Sequence, residues 1–204
     1  MLITLEGNEG SGKSTQIRLL YRYLRSKGKK VFLTREPGGT RVGDQIRKVL
    51  LDNRNRKMSA VSETLLYMAS RSELVKKVIG PKIKMGCIVL CDRWLDATIA
   101  YQGYGGGVNV RWIETLGKAA TEGIRPILSL FLDLPLACGL RRAKQHKKAD
   151  RMERKDLAFH KRVRQGYLRI AKKEPRRLKL IKIRENESVS LVHEKIKKAV
   201  SHVL

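Results

Sequence analysis

The chain has 204 residues, of which 42% are hydrophobic and 31% charged, a composition typical of a globular protein and not of a disordered one. The length predicts one domain over residues 1–204, and no run of about 18 apolar residues is present to span a membrane. The N-terminus has neither a basic segment nor an apolar stretch of signal-peptide length, which predicts a cytoplasmic protein. The three cysteines form no C-x-x-C pair, so neither a disulfide scaffold nor a cysteine metal site is predicted.

Lysine and arginine number 45 against 19 aspartates and glutamates, which gives a formal net charge of +26. Such an excess indicates a polyanionic partner, namely nucleic acid, an anionic membrane or phosphorylated metabolites. Only 5% of the residues are aromatic, which argues against a platform that stacks single-stranded bases. The positive charge is spread over both halves of the chain, so it leaves the class of polyanion open.

Strands and helices are predicted to alternate along the chain. Short, continuous apolar runs predict strands at residues 2–6, 30–34, 87–91, 127–132 and 178–183. Apolar residues at helical spacing predict helices at residues 13–26, 41–51, 59–79, 110–121, 135–144, 151–173 and 188–203. This alternation is typical of an α/β protein with a parallel sheet, here five strands flanked by helices.

Residues 7–14 match G-x-x-x-x-G-K-[ST] at every fixed position, between a predicted strand and a predicted helix. The pattern is typical of a phosphate-binding loop, because glycines let backbone N–H groups converge on phosphate oxygens at a helix N-terminus. Lys13 is expected to reach the β- and γ-phosphates of a nucleoside triphosphate, and the Ser14 hydroxyl to ligate Mg²⁺. The loop alone leaves kinases, GTPases, helicases and ATPases open. The predicted nucleotide-binding set is Gly7, Asn8, Glu9, Gly10, Ser11, Gly12, Lys13, Ser14 and Thr15.

A P-loop enzyme also needs an acidic residue at the end of a buried strand, close to the metal. Asp92 follows the run CIVLC, and Asp133 follows the run ILSLFL. Asp92 is the better candidate because Arg93 comes directly after it and is able to hold a phosphate. Asp133 is expected to cap a helix or form a turn.

Beyond the P-loop, the sequence resembles the thymidylate kinases, a family of P-loop nucleoside monophosphate kinases. The similar segments run in family order and cover nearly the whole chain: 5–15 (LEGNEGSGKST), 35–40 (REPGGT), 63–71 (ETLLYMASR), 91–94 (CDRW), 100–103 (AYQG), 131–135 (FLDLP), 139–141 (GLR), 150–153 (DRME) and 159–167 (FHKRVRQGY). The resemblance implies a P-loop NTPase fold and transfer of the ATP γ-phosphoryl group to dTMP with Mg²⁺. It also implies a homodimer that pairs through helices of the 63–79 region.

The resemblance also implies roles for individual residues. Arg93 is similar to the arginine that holds the acceptor phosphate, and Arg71 to the arginine that reaches thymine. Glu9 stands where the family usually has an aspartate near the sugar hydroxyl, and Arg141 is similar to an arginine that stacks on adenine. The remaining members of the implied dTMP site are Glu36 and Pro37 in a loop over the acceptor, and Thr98, Tyr101 and Gln102 beside the base and sugar.

One branch of the family carries a basic residue inside the P-loop, whereas positions 8–11 of this chain hold none. The cation that meets transition-state charge is therefore predicted in a mobile lid over residues 142–153. Arg151 is the first candidate, followed by Lys147 and Lys148. The implied catalytic set is thus Lys13, Arg93 and Arg151, with Glu9.

Two alternatives remain open from the sequence. One is a P-loop protein whose main partner is nucleic acid, which the net charge of +26 favours. The other is a kinase for a different nucleoside monophosphate, such as dUMP or AMP. A kinase for dTMP does not require nucleic acid, although this charge would allow non-specific binding.

Overall fold

A five-stranded parallel sheet forms the centre of the protein, which is described here from a computed structural model covering residues 1–146 and 150–204. The strands are β1 (Leu2–Gly7), β2 (Val31–Arg35), β3 (Ile88–Asp92), β4 (Leu128–Asp133) and β5 (Leu178–Lys182). Their order in the sheet is β2-β3-β1-β4-β5. The predicted α/β class with five parallel strands is confirmed.

Helices cover both faces of the sheet. They are α1 (Lys13–Ser26), α2 (Arg41–Leu51), α3 (Ala60–Leu74), α4 (Gly80–Lys84), α5 (Leu95–Thr98), α6 (Val110–Ala120), α7 (Leu136–His146), α8 (Leu157–Lys173) and α9 (Val189–Ser201). Two π-helical segments, Val75–Ile79 and Ile99–Gly105, continue α3 and α5. Within the described part of the chain, no helix is long and apolar enough to cross a membrane.

The central strand β1 positions the phosphate-binding loop. All six of its residues are buried, as expected for a parallel strand covered on both faces. Leu5 is in register with Asp92 of β3, and Gly7 with Leu132 of β4. The carboxyl ends of these strands therefore meet at one edge of the sheet, where α/β proteins bind their ligands.

The region after β4 differs from the sequence prediction. The helix predicted at 151–173 begins at Leu157, because the Asp156 side chain caps it by accepting a hydrogen bond of 2.6 Å from the Phe159 backbone N–H. Helix α7 extends to His146, so the first residues of the predicted 142–153 lid are helical. Lys147 and Lys148 lie outside the described residues, and 151–154 form turns.

Candidate active site

The loop between β1 and α1 has the geometry of a phosphate cradle. Gly10 and Gly12 have φ of 67° and 88°, a left-handed conformation that favours glycine. A Cβ on Gly10 would lie 2.0 Å from the Gly139 carbonyl oxygen of α7, so only glycine fits there. Lys13 Nζ donates to the carbonyl oxygens of Gly7 and Asn8, both at 3.0 Å.

Lys13 is buried, and burial is the main reason why its pKa falls to about 8. The neighbouring Arg93 guanidinium lowers the pKa further, while the carboxylates of Glu9 and Asp92 oppose the fall. A bound triphosphate would favour the ammonium form. The charge of Lys13 therefore depends on pH close to the physiological range.

This pKa predicts the pH dependence of nucleotide binding. In the free enzyme Lys13 loses its proton as the pH rises through about 8, and only the charged form attracts phosphate. We expect kcat/KM for ATP to fall above pH 8, approaching a tenfold loss per pH unit, because kcat/KM reports the free enzyme. Initial rates between pH 7 and 10 at saturating acceptor measure this, and a flat profile would contradict it.

Ser14 and Asp92 lie together at the mouth of the cradle. The Ser14 hydroxyl donates to Asp92 Oδ2 at 3.2 Å. Asp133 has a different partner, because both of its carboxylate oxygens accept from Arg164, at 2.6 and 2.8 Å. Of the two candidate acids, Asp92 is thus the one beside the phosphate loop. A hydroxyl and a carboxylate are the hard oxygen donors that suit Mg²⁺, which binds few protein groups and keeps several waters.

Arg93 contacts several residues of the polar cluster beside the loop. Its Nη2 donates to Glu9 Oε1 at 2.8 Å and its Nη1 to the Gly7 carbonyl oxygen at 3.0 Å. The guanidinium lies 4.9 Å from the centre of the Tyr101 ring, and the Tyr101 hydroxyl donates to the same Glu9 oxygen at 2.8 Å. The backbone φ of Arg93 is 73°, a strained value for a residue with a side chain.

Glu9 is an ionised acceptor in this cluster. Burial raises the pKa of Glu9, but Arg93, Lys13 and the hydrogen bond from Tyr101 outweigh burial and lower it to about 2. A carboxylate at this pKa accepts hydrogen bonds at any working pH. Glu9 therefore fixes the orientation of both the arginine and the tyrosine.

A second arginine, Arg71, also lines the site. Its Nε and Nη2 donate to Glu36 Oε2 at 2.9 and 2.6 Å, and Nη2 also donates to Thr98 Oγ1 at 2.9 Å. The guanidinium lies 5.6 Å from the centre of the Trp94 ring. Burial raises the pKa of Glu36, and the positive charge of Arg71 opposes that rise. These contacts hold Arg71 in one orientation.

One cavity of about 430 Å³ joins the two arginines to the phosphate loop. The predicted site residues that line it are Glu9, Gly10, Ser11, Gly12, Lys13, Ser14, Thr15, Glu36, Pro37, Arg71, Asp92, Arg93, Thr98, Tyr101 and Gln102. Most of the predicted site thus converges on a single cleft.

Four of the predicted site residues that the structure describes do not line this cavity. Gly7 and Asn8 contribute carbonyl oxygens that accept from Lys13 Nζ. Arg141 is exposed on α7, and its guanidinium pairs with Glu185. Arg151 was expected in an open lid, but it is 2% exposed, with Nη1 2.5 Å from Glu63 Oε2 and Nε donating to the Leu50 carbonyl oxygen at 2.7 Å. The expected position of Arg151 is corrected, because a nearby buried carboxylate draws its guanidinium inward. Its catalytic role stays a prediction.

Four cavity residues with cationic or aromatic side chains were missed from the sequence: Arg35, Arg47, Tyr67 and Trp94. Arg35, Tyr67 and Trp94 lie in segments already singled out by motif, so a signal was present. Arg47 lies on α2 and its Nη1 donates to the Pro37 carbonyl oxygen at 2.9 Å. No motif marks it, and only the packing of α2 brings it to the cleft.

Comparison with known proteins shows the family of this chain. The family model described as Thymidylate kinase matches residues 5–196. The chain belongs to the thymidylate kinase family. The predicted family and its P-loop kinase fold are thereby confirmed, and the nucleic-acid alternative is not favoured.

Individual thymidylate kinases match over most of their length. One from Trichlorobacter lovleyi is 48% identical over 89% of this chain and 88% of its own. One from Kosmotoga olearia is 43% identical over 97% of this chain and 94% of its own. The crystal structure of thymidylate kinase from Ehrlichia chaffeensis has a TM-score of 0.81 and 34% identity, and the match covers 98% of both chains.

Proposed function

We propose that this chain transfers the γ-phosphoryl group of ATP to dTMP and yields dTDP for dTTP synthesis. The observation that carries the proposal is the cavity of about 430 Å³, in which a phosphate cradle with Lys13 lies beside an arginine-lined compartment. Relatives named thymidylate kinase support the choice of acceptor. Phosphoryl transfer asks the protein mainly for in-line positioning and for neutralisation of charge.

The donor is held by the loop between β1 and α1. Backbone N–H groups of the loop and the N-terminus of α1 bind the phosphates, and Lys13 moves its charge from the loop carbonyls onto the β- and γ-phosphates. Ser14 and Asp92 would hold Mg²⁺, which supplies neutralisation of the triphosphate charge when bound. Asp92 also orients the Ser14 hydroxyl through their hydrogen bond of 3.2 Å.

The acceptor is held by the arginines across the cavity. Arg93, Arg47 and Arg35 all line it, and their guanidinium groups match the geometry of a phosphate. Arg71 and Thr98 supply polar contacts for the base. Tyr101, whose hydroxyl donates to Glu9, would crowd a ribose 2′-hydroxyl.

The acceptor assignment predicts an order of substrates. We expect dTMP to be the best acceptor with ATP and Mg²⁺, dUMP to be weaker because it lacks the methyl group, and ribonucleotides to be poor. Coupled ADP-release rates over a panel of monophosphates give kcat/KM for each acceptor. Faster turnover of AMP or CMP than of dTMP would contradict the proposed acceptor.

The proposal includes a cytoplasmic homodimer that pairs through α2 and α3. Val61 and Leu65 on α3 are 50% and 46% exposed, and Val42 and Val49 on α2 are 40% and 44% exposed. Leu74, which lies in the 63–79 region that the resemblance implies for pairing, is buried in the core. Exposed apolar side chains on two helices that pack together favour a symmetric interface there.

This interface predicts that one charged substitution on α3 changes the oligomeric state. We expect wild-type protein to sediment as a dimer at micromolar concentration and Leu65→Lys to shift it toward monomer, because a C2 interface places the new charge twice. Leu191→Lys, on the exposed side of α9, is the matched control and should remain dimeric. A monomeric wild type, or a dimeric Leu65→Lys variant, would refute the α3 interface.

A further inference from the structure

A chain of buried polar contacts runs from Arg151 to the cavity. Arg151 Nη1 lies 2.5 Å from Glu63 Oε2, and Glu63 Oε1 accepts a hydrogen bond of 2.6 Å from Gln102 Nε2. All three residues are buried. Gln102 lines the cavity, whereas Glu63 and Arg151 are not among the described residues that do. The ion pair therefore stands directly behind a side chain that faces the substrate.

This arrangement fixes which end of the Gln102 amide faces the cavity. A glutamate that pairs with arginine is a carboxylate, and a carboxylate only accepts hydrogen bonds. The amide nitrogen of Gln102 must therefore point at Glu63. Its oxygen, on the other side of the same amide carbon, is left as the atom that faces the cavity, where it offers an acceptor and no donor.

Arg71 and Thr98 line the same cavity as Gln102. Arg71 donates from Nη2 to Thr98 Oγ1 at 2.9 Å, and Thr98 lies four residues before Gln102 on the helical segment formed by α5 and its π-helical continuation. The cavity wall at Gln102 thus presents an amide acceptor. Thymine and uracil offer the complement, an N3–H donor, whereas cytosine has an acceptor at N3.

We propose that Glu63, paired with Arg151, is a positioning residue that orients the Gln102 amide and so selects a thymine or uracil base over cytosine. The inference rests on the proposed function, since it concerns the same acceptor cavity. Arg151, expected from sequence in a mobile lid, acts here through Glu63. Its positive charge balances a carboxylate that would be costly to bury alone.

The test is the ratio of kcat/KM for dTMP to kcat/KM for dCMP in Glu63→Gln. A glutamine at position 63 is able to donate as well as accept, so the Gln102 amide is free to turn over. We expect the ratio to fall about tenfold, the scale of one exchanged hydrogen bond. Glu73→Gln is the matched control, because Glu73 lies on the same helix and pairs with Lys77 at 2.7 Å away from the cavity. Its ratio should equal that of wild type.

A double-mutant cycle separates orientation from general damage. Gln102→Met keeps the size of the side chain and removes the amide, so Glu63→Gln should have no further effect on the ratio in that background. If Glu63→Gln fails to fold, the variant Glu63→Met with Arg151→Met removes both charges together. The same fall in the ratio is then expected from this paired variant.

The possible failures are distinct. Wild-type protein that does not phosphorylate dTMP would overturn the proposed function, and this inference with it. Active wild type with an unchanged ratio in the Glu63 variants would overturn the inference alone. The inference would also be overturned by equal losses for dTMP and dCMP, or by a further fall of the ratio when Glu63→Gln is added to Gln102→Met.

Discussion

Replacing Lys13 by alanine is expected to lower kcat at least about 1000-fold, the scale of a lost transition-state cation. Lys13 lies in the phosphate cradle, and its Nζ contacts two loop carbonyl oxygens rather than a carboxylate. The ammonium group therefore has no fixed countercharge within hydrogen-bond distance among the described residues. This leaves it available to follow the charge on the transferred phosphoryl group.

The same substitution should not unfold the protein. Burial lowers the pKa of Lys13 from 10.5 to about 8, so the charged form of Lys13 is less stable in the folded protein than in the unfolded chain. Below pH 8 this lowers the free energy of unfolding of the wild type by up to ~3 kcal/mol. The loss disappears as the pH rises toward 10.5, where the unfolded chain also releases the proton. A neutral side chain avoids the loss. We expect the urea midpoint of Lys13→Ala at pH 7 to equal or exceed that of wild type.

Single-turnover rates with ATP, Mg²⁺ and dTMP, together with urea unfolding, test both parts. Lys29→Ala is the matched control, because Lys29 is exposed in the turn after α1 and its loss should change neither rate nor midpoint. A folded Lys13→Ala protein with near wild-type kcat would remove the proposed role of the P-loop lysine.

The fold and the donor side of the site could be predicted from the sequence because their signals are local. The P-loop is a contiguous motif between an apolar run and a helix, and β1 is buried on both faces as its composition indicates. Asp92 and Asp133 both end apolar strands, and their partners distinguish them. Asp92 accepts from Ser14, whereas Asp133 pairs with Arg164, which lies 31 residues further along the chain.

The position of Arg151 and the role of Arg47 were missed because both depend on contacts between distant parts of the chain. Arg151 looks like a loop cation in the sequence, yet Glu63, 88 positions earlier, neutralises it inside the protein. Arg47 reaches the cavity only because α2 packs beside Pro37. A buried ion pair between distant residues produces no periodic pattern in the sequence. Its energy depends on desolvation and on a geometry that exists only in the folded protein.

Arg93 carries the second large expected effect. Arg93→Ala should lower kcat/KM for dTMP about 1000-fold, because it removes the guanidinium that lines the acceptor cavity and also frees Glu9 and the Gly7 carbonyl oxygen. Arg93→Lys should recover only part of the loss, since an ammonium cannot contact Glu9 and Gly7 in the planar fork geometry. Initial rates over a range of dTMP concentrations measure both variants.

The positive φ of Arg93 provides an independent control through Arg93→Gly. At φ 73° alanine keeps the backbone strain, whereas glycine relieves about 1 kcal/mol of it. We therefore expect Arg93→Gly to unfold at higher urea concentration than Arg93→Ala, while both are equally inactive. If glycine restored activity, strain and not charge would explain the loss. If the two variants had the same urea midpoint, the left-handed backbone conformation at position 93 would be wrong. The proposed orientation of the Arg93 side chain at the end of β3 would then be wrong as well.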